Sequence, residues 1–418
     1  MDSFRSYITL PYFYLALVIL WIPISLITGI DGMGRIKIAT TIVLVGYLLF
    51  KKRSYLSNFF SERCVVILAV LIIYMIANYL ILYELPHNPA PHERLFKVLT
   101  LIYPFMILLV VYTEIIEGRS GKVINVILCS YYAWILLLVV YMGRAVTIME
   151  RMTLEGIDSN DFGLVSSLVI FMLYLRIRYF NMNPTKGIML AILPLVLIIF
   201  TSSRTAMGCV CIVVALIMID YLHNLNFINF AKILLSLAII FGGFLYVQEN
   251  TNLGKRIAYT TSQTENYRGL KTHTVLDKMG DRGVFYYYGY KAWKEEPVFG
   301  IGLGNFKTRN IFGGLVCHSE YMVQLCECGI IGIFLYLLYL FMLWRRIRYF
   351  AFSGIFLRKR VLYGALIMVL LVDTFFWSYD RLYIFILYGL IIGFTSNKLH
   401  YQLMHYPEYQ HYQLNRIS

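Results

Sequence analysis

Apolar runs long enough to cross a bilayer, about 17 to 25 residues, recur along most of the chain. They lie at positions 8–30, 36–50, 64–83, 95–113, 122–142, 162–180, 187–203, 205–222, 231–247, 319–344, 361–378 and 381–396. A backbone in lipid must satisfy its own N–H and C=O groups, so each run predicts a helix. The second run is the shortest, and Arg35 and Lys37 intrude at its start. The connections are short apart from one polar stretch, Gln248 to His318. The pattern predicts an all-α polytopic membrane protein of about 12 transmembrane helices. Residues 1–247 carry spans one to nine, 248–318 form a large, partly helical loop, 319–396 carry spans ten to twelve, and 397–418 form a tail. The tail's tyrosines between Tyr401 and Tyr412 suit the headgroup level, where amphipathic rings collect.

Composition removes several classes. The 418 residues are 59% hydrophobic and 14% charged, against about a quarter charged in soluble domains, which excludes a cytosolic enzyme. The net charge of +14 raises nucleic acid as a partner, but the basic residues flank apolar spans, where the positive-inside bias accounts for them. With the N-terminus inside, 19 Lys and Arg fall on the cytoplasmic side, against 8 in the short loops of the other side. Long loops translocate largely regardless of charge, so this asymmetry predicts cytoplasmic termini and an outward-facing long loop. The first run is too long for a signal-peptide core and is expected to stay as a span. Most of the seven cysteines fall in apolar runs, so no disulfide framework is expected. No internal repeat is evident, which weighs against a transporter built from two similar halves.

Three constellations carry candidate chemistry. Thr201-Ser202-Ser203-Arg204 forms the tight turn between the seventh and eighth runs and places Arg204 at a helix N-terminus. Free N–H groups, the helix dipole and a guanidinium together suit phosphate or pyrophosphate; the plain alternative is an arginine snorkelling to headgroups. The second constellation opens on Asp281-Arg282-Gly283, where Phe285, Gly289, Ala292 and Trp293 share one face of a predicted amphipathic helix lying across the membrane face. Pro297 closes that helix before Gly300, Gly302 and Gly304. No strand precedes these glycines, so they are no dinucleotide fingerprint; they let the backbone approach the membrane domain closely. The third, Cys317-His318-Ser319-Glu320-Tyr321, precedes the tenth run, with Gly329-Ile330-Ile331-Gly332 further along it. A histidine at an outward mouth can take a proton from a hydroxyl. Zinc at Cys317, His318, Cys326 and Cys328 is disfavoured, because residues two apart on a helix diverge by about 200°.

In these motifs the chain resembles the O-antigen ligase and O-antigen polymerase superfamily of bacterial membrane glycosyltransferases. The Thr-Ser-Ser-Arg segment, the Arg282-to-Trp293 spacing with Pro-x-Phe-Gly-x-Gly, and the histidine come in the family's order, and His318, with Gly329 and Gly332 beyond it, fits the ligase pattern. The resemblance covers Asn181 to Trp344 and reaches the first half only through span count. It implies a GT-C-like enzyme of the bacterial inner membrane, a multi-pass lipopolysaccharide or polysaccharide biosynthesis protein without cofactor or metal. Such an enzyme moves a glycan from an undecaprenyl pyrophosphate donor to a glycan or lipid A-core acceptor on the periplasmic face, with inversion. By the same resemblance Arg204 and Arg282 hold the pyrophosphate and His318 acts on the acceptor hydroxyl, with Glu320 and Tyr321 in the substrate-binding set.

Three competitors stay open: a repeat-unit polymerase of the same superfamily, a protein-directed glycan ligase, and a lipid-linked glycan flippase or transporter. The last calls for charged residues near the bilayer midplane. Asp373 is the clearest such residue, with Asp161 and Asp380 nearer span ends.

Overall fold

The computed structural model describes residues 9–28, 33–83, 91–142, 159–201, 203–222, 281–309, 316–349 and 359–396, with residues 246 and 249. Most of the ninth run, residues 250–280 of the long loop, Ser202 and the tail lie outside the described residues. Among the described residues there is no strand. The helices are α1 (Leu10–Thr28), α2 (Met33–Lys51), α3 (Arg53–Ser61), α4 (Arg63–Leu82), α5 (Pro91–Ile116), α6 (Ser120–Met142), α7 (Ser159–Tyr179), α8 (Pro184–Thr201) and α9 (Arg204–Leu222). Beyond the long loop come α10 (Asp281–Glu295), α11 (Phe306–Arg309), α12 (Glu320–Cys326), α13 (Gly329–Tyr349), α14 (Lys359–Phe375) and α15 (Leu382–Phe394). Among them six are long and apolar enough to cross a membrane: α4, α6, α7, α8, α13 and the part of α5 from Val98 to Ile116.

Two local features depart from the pattern of runs. The basic turn after α2 holds a short helix, α3, whose Phe59 is buried against Tyr112 (ring centroids 5.1 Å apart) and Phe105 (5.6 Å) of α5. The run 319–344 is not one helix. It breaks at Glu327-Cys328 into α12 and α13, and the long crossing helix starts at Gly329, whose φ is +68°.

Small residues let helices approach closely, as bilayer packing favours. A Cβ on Gly389 of α15 would lie 2.9 Å from Val111 of α5, and one on Gly393 2.9 Å from Ile115. Helices α9 and α14 run antiparallel: Gly208 faces Leu371, and Gly364 faces Leu216. Carrying this register one turn past Gly208 and Leu371 brings Arg204 level with Phe375 and Phe376. That end of the bundle is the site end.

The opposite end is held by ion pairs. Arg346 grips Glu62 at 2.5 and 2.9 Å, and Ser396 donates to the same carboxylate at 3.0 Å. Asp220, at the far end of α9, pairs with Arg178 at 3.1 Å and with Arg360. Lys52 and Arg119 meet Glu117.

Candidate functional site

The long loop is fastened to the bundle by backbone contacts that only glycine permits. Gly300 and Gly329 both have positive φ and meet back to back: a Cβ on Gly300 would lie 2.4 Å from the Glu327 carbonyl carbon, and one on Gly329 2.2 Å from the Val298 oxygen. The N–H groups of Ile301 and Gly302 donate to the carbonyls of Cys326 and Glu327 at 2.9 and 3.0 Å, and that of Ile330 donates to Pro297 at 2.9 Å. The helix break and the Pro-x-Phe-Gly-x-Gly loop therefore define each other. Asn78 of α4 fixes the loop from below, donating to Phe299 at 2.8 Å and accepting from the Leu303 N–H at 2.7 Å. The Glu327 carboxylate accepts from the N–H groups of Gly304 (2.9 Å) and Phe306 (3.2 Å). These glycines shape an anchor, as the sequence implied.

The amphipathic helix α10 docks on α12. Phe285 and Gly289 of its predicted apolar face are buried, and Ala292 and Trp293 are half-buried. A Cβ on Gly289 would meet Met322 at 2.9 Å and the Cys317 sulfur at 3.2 Å. The Tyr286 hydroxyl donates to the Thr374 carbonyl at 2.5 Å, tying α10 to the end of α14.

That tie sets Arg282 and His318 on one aromatic floor. The Arg282 guanidinium carbon lies 4.6 Å from the Phe375 ring centroid and 5.6 Å from that of Phe376, within cation–π reach. The His318 ring meets Phe285 at 4.9 Å, Trp377 at 6.0 Å and Phe376 at 6.4 Å. Phe376 thus touches both side chains. Arg204 enters from the neighbouring helix pair. Ser203 stands at the N-cap of α9, its hydroxyl accepting from the Ala206 N–H at a long 3.4 Å. Arg204 follows as the first residue of α9, half-buried. The register of α9 on α14 sets it level with Phe375 and Phe376. Two guanidiniums and an imidazole at one end of the bundle can bind a polyanion and act on a neighbouring hydroxyl.

Glu320 and Tyr321 follow His318 into α12. Glu320 is 1% exposed, and its carboxylate accepts from Gln324 at 2.7 Å and from the N–H groups of Ser378 and Tyr379 at 2.6 and 3.2 Å. In return, the Glu320 N–H donates to Phe376 at 3.0 Å, and the Ser319 hydroxyl donates to Asp373 at 3.1 Å. This reciprocal clasp holds the turn that carries Phe376 and Trp377. Glu320 thus holds this turn together. Tyr321 is half-buried and packs edge-on against Tyr336 at 5.8 Å, and the Tyr336 hydroxyl bonds to Asp373. Asp373 is wholly buried in this helix-to-helix contact.

Burial pushes the Glu320 carboxyl up to about 7, against the pull of its hydrogen bonds. The folded state holds this proton at pH values where the unfolded chain, near 4.3, has lost it. The resulting stabilisation is full below the unfolded value and is lost as pH rises through about 7. Wild-type protein is therefore expected to gain several degrees in melting temperature over Glu320→Gln when pH falls from about 7.5 to 5. Parallel melting curves for the two proteins would remove this reading.

One charged pair beside the floor escaped the sequence reading. Arg381, just before α15, pairs with Asp161 of α7, and its guanidinium carbon lies 4.4 Å from the Trp377 ring centroid. Asp161 and Asp380 were legible as isolated carboxylates, but nothing in the spacing joins positions 161 and 381. Among the described residues no group of three or more His, Cys, Asp or Glu could hold a metal ion.

Residues 189–337 match the family model described as O-antigen ligase. The matched segment contains Arg204, Arg282, His318, Glu320 and Tyr321, and supports a place in the O-antigen ligase and polymerase superfamily. Comparison with curated proteins gives no match.

Proposed function

We propose, taking the O-antigen ligase match over residues 189–337 as premise, that the chain is a glycosyltransferase moving a glycan from undecaprenyl pyrophosphate to an acceptor sugar hydroxyl. The reading is ligase-type, with lipid A-core as the acceptor, on the periplasmic face of a bacterial inner membrane. The observation that carries it is the aromatic floor that joins Arg282 to His318, with Arg204 level with it on the adjoining helix pair. The bond between the anomeric carbon and the phosphate oxygen breaks, and its electron pair stays on the pyrophosphate. The acceptor oxygen attacks the anomeric carbon from the opposite face, inverting it, and His318 takes or orients the hydroxyl proton. Arg204 and Arg282 stabilise the charge that grows on the leaving pyrophosphate, a preorganised electrostatic contribution.

The test is incubation of the purified full-length protein with lipid-linked glycan, with and without lipid A-core. Glycan on the core lipid supports the ligase reading. Elongated carrier-linked glycan without core transfer assigns the repeat-unit polymerase, and movement of the donor across vesicles with its linkage intact assigns a flippase. Chelation of divalent cations is expected to leave the transfer rate within about twofold, because guanidiniums fill the role a cation takes at a leaving pyrophosphate. A strict Mg²⁺ or Mn²⁺ requirement would overturn that division of roles.

A further inference from the structure

Resting on the pyrophosphate reading of this site, we propose that Arg381 is a third donor-binding side chain, held at rest by Asp161 and passed to the leaving group as the sugar–phosphate bond breaks. Charge counting motivates it. A glycan–pyrophosphate–lipid diester carries one ionised oxygen on each phosphorus, two charges in all, which Arg204 and Arg282 match one for one. Cleavage leaves the bonding electron pair on the terminal phosphate oxygen, so the product carries one charge more. A third cation that is engaged as that charge develops stabilises the transition state over the ground state, the condition for acceleration.

The geometry places Arg381 to meet that charge. Its guanidinium lies over Trp377, and Trp377 meets His318 at 6.0 Å. Arg282 reaches His318 through Phe376 in the same manner. Arg381 therefore repeats the Arg282 arrangement on the next ring of one turn. It also stands at the head of α15, directly before Leu382, where a helix N-terminus adds positive potential.

Its partner is tied to the turn that carries Arg204. Asp161 lies in the first turn of α7. Two residues on, Gly163 is so close to the turn before Arg204 that a Cβ there would meet Thr201 at 2.8 Å and Ser203 at 2.9 Å. Asp161 also accepts from the Tyr383 hydroxyl at 3.3 Å, and Asp380 lies 3.6 Å from Arg381. Two carboxylates beside a guanidinium that is 19% exposed keep it positioned and leave it open to exchange partners. Both Asp161 and Arg381 fall outside residues 189–337.

A simple staple between α7 and α15 is the competing account, and paired variants separate the two. Binding of undecaprenyl pyrophosphate is measured on full-length protein in nanodiscs, beside transfer. Arg381→Gln is expected to weaken binding and slow transfer by about 10 to 100-fold, the usual loss for a charge-assisted hydrogen bond. Asp161→Asn is expected to bind the carrier as tightly as wild type or more tightly, because it releases Arg381. The double variant Asp161→Asn with Arg381→Gln is expected to stay as weak as Arg381→Gln. The proposal is overturned if Asp161→Asn loses as much as Arg381→Gln, or if the double variant recovers, since both follow from a staple. If Arg204→Ala and Arg282→Ala also leave carrier binding unchanged, the pyrophosphate site itself is misplaced, an outcome distinct from failure at Arg381 alone.

Discussion

Replacing Arg204 or Arg282 with Ala is expected to lower glycan transfer by on the order of 10² to 10³-fold, the cost of removing one preorganised donor from a developing charge. The two positions fail by the same mechanism from different elements, Arg204 at the start of α9 and Arg282 in the first turn of α10. Lys at either position should recover little. A guanidinium presents a planar fork to two phosphate oxygens, whereas an ammonium offers a point charge. At position 282 the loss has a second source, because the planar group also lies against Phe375 and Phe376. Transfer per folded, membrane-inserted protein checks the prediction. Full activity in both Ala variants would withdraw the pyrophosphate assignment.

The second large effect falls on His318. His318→Ala is expected to lose about 10² to 10⁴-fold in rate if the imidazole takes the acceptor proton, and the residual activity should depend less on pH between about 5 and 8. Positioning alone gives another pattern: His318→Gln retains much of the turnover, and the acceptor's apparent affinity suffers instead. Carrier binding should survive in both variants. His318 stands on Phe285, Phe376 and Trp377, and the pyrophosphate is assigned to the two guanidiniums. Loss of carrier binding in a folded His318→Ala protein would move the histidine into the donor site.

The helices were legible because runs of apolar residues some twenty long have few other solutions in lipid. The break inside the tenth run was not, because Cys326, Cys328 and Ile330 read as continuous apolar sequence. Its signals were the lone Glu327 and the following Gly329. Glu327 spends its charge on the N–H groups of Gly304 and Phe306, a partner over twenty residues upstream that no local pattern reveals. The arginines and the histidine were legible from motif order and helix ends. The floor that joins Arg282 to His318 was not, since Phe375, Phe376 and Trp377 belong to an apolar run and look like any core segment. Glu320 shows the same limit: its bonds to Ser378 and Tyr379 join positions that no local pattern connects.

The clasps on either side of the site also set an order of assembly. Asn78 waits for Phe299 and Leu303, 221 and 225 residues further on, and Glu320 waits for Ser378 and Tyr379, 58 and 59 further on. Chains emerge from the ribosome N-terminus first, so α4 enters the membrane with a buried amide whose partners do not yet exist. The site end closes only when the turn before α15 has been made. A chain interrupted before that turn is left with its early helices inserted and with neither the floor for His318 nor the partner for Asp161. The site end is therefore a late product of biogenesis, completed only once the segment from Phe375 to Arg381 has been made.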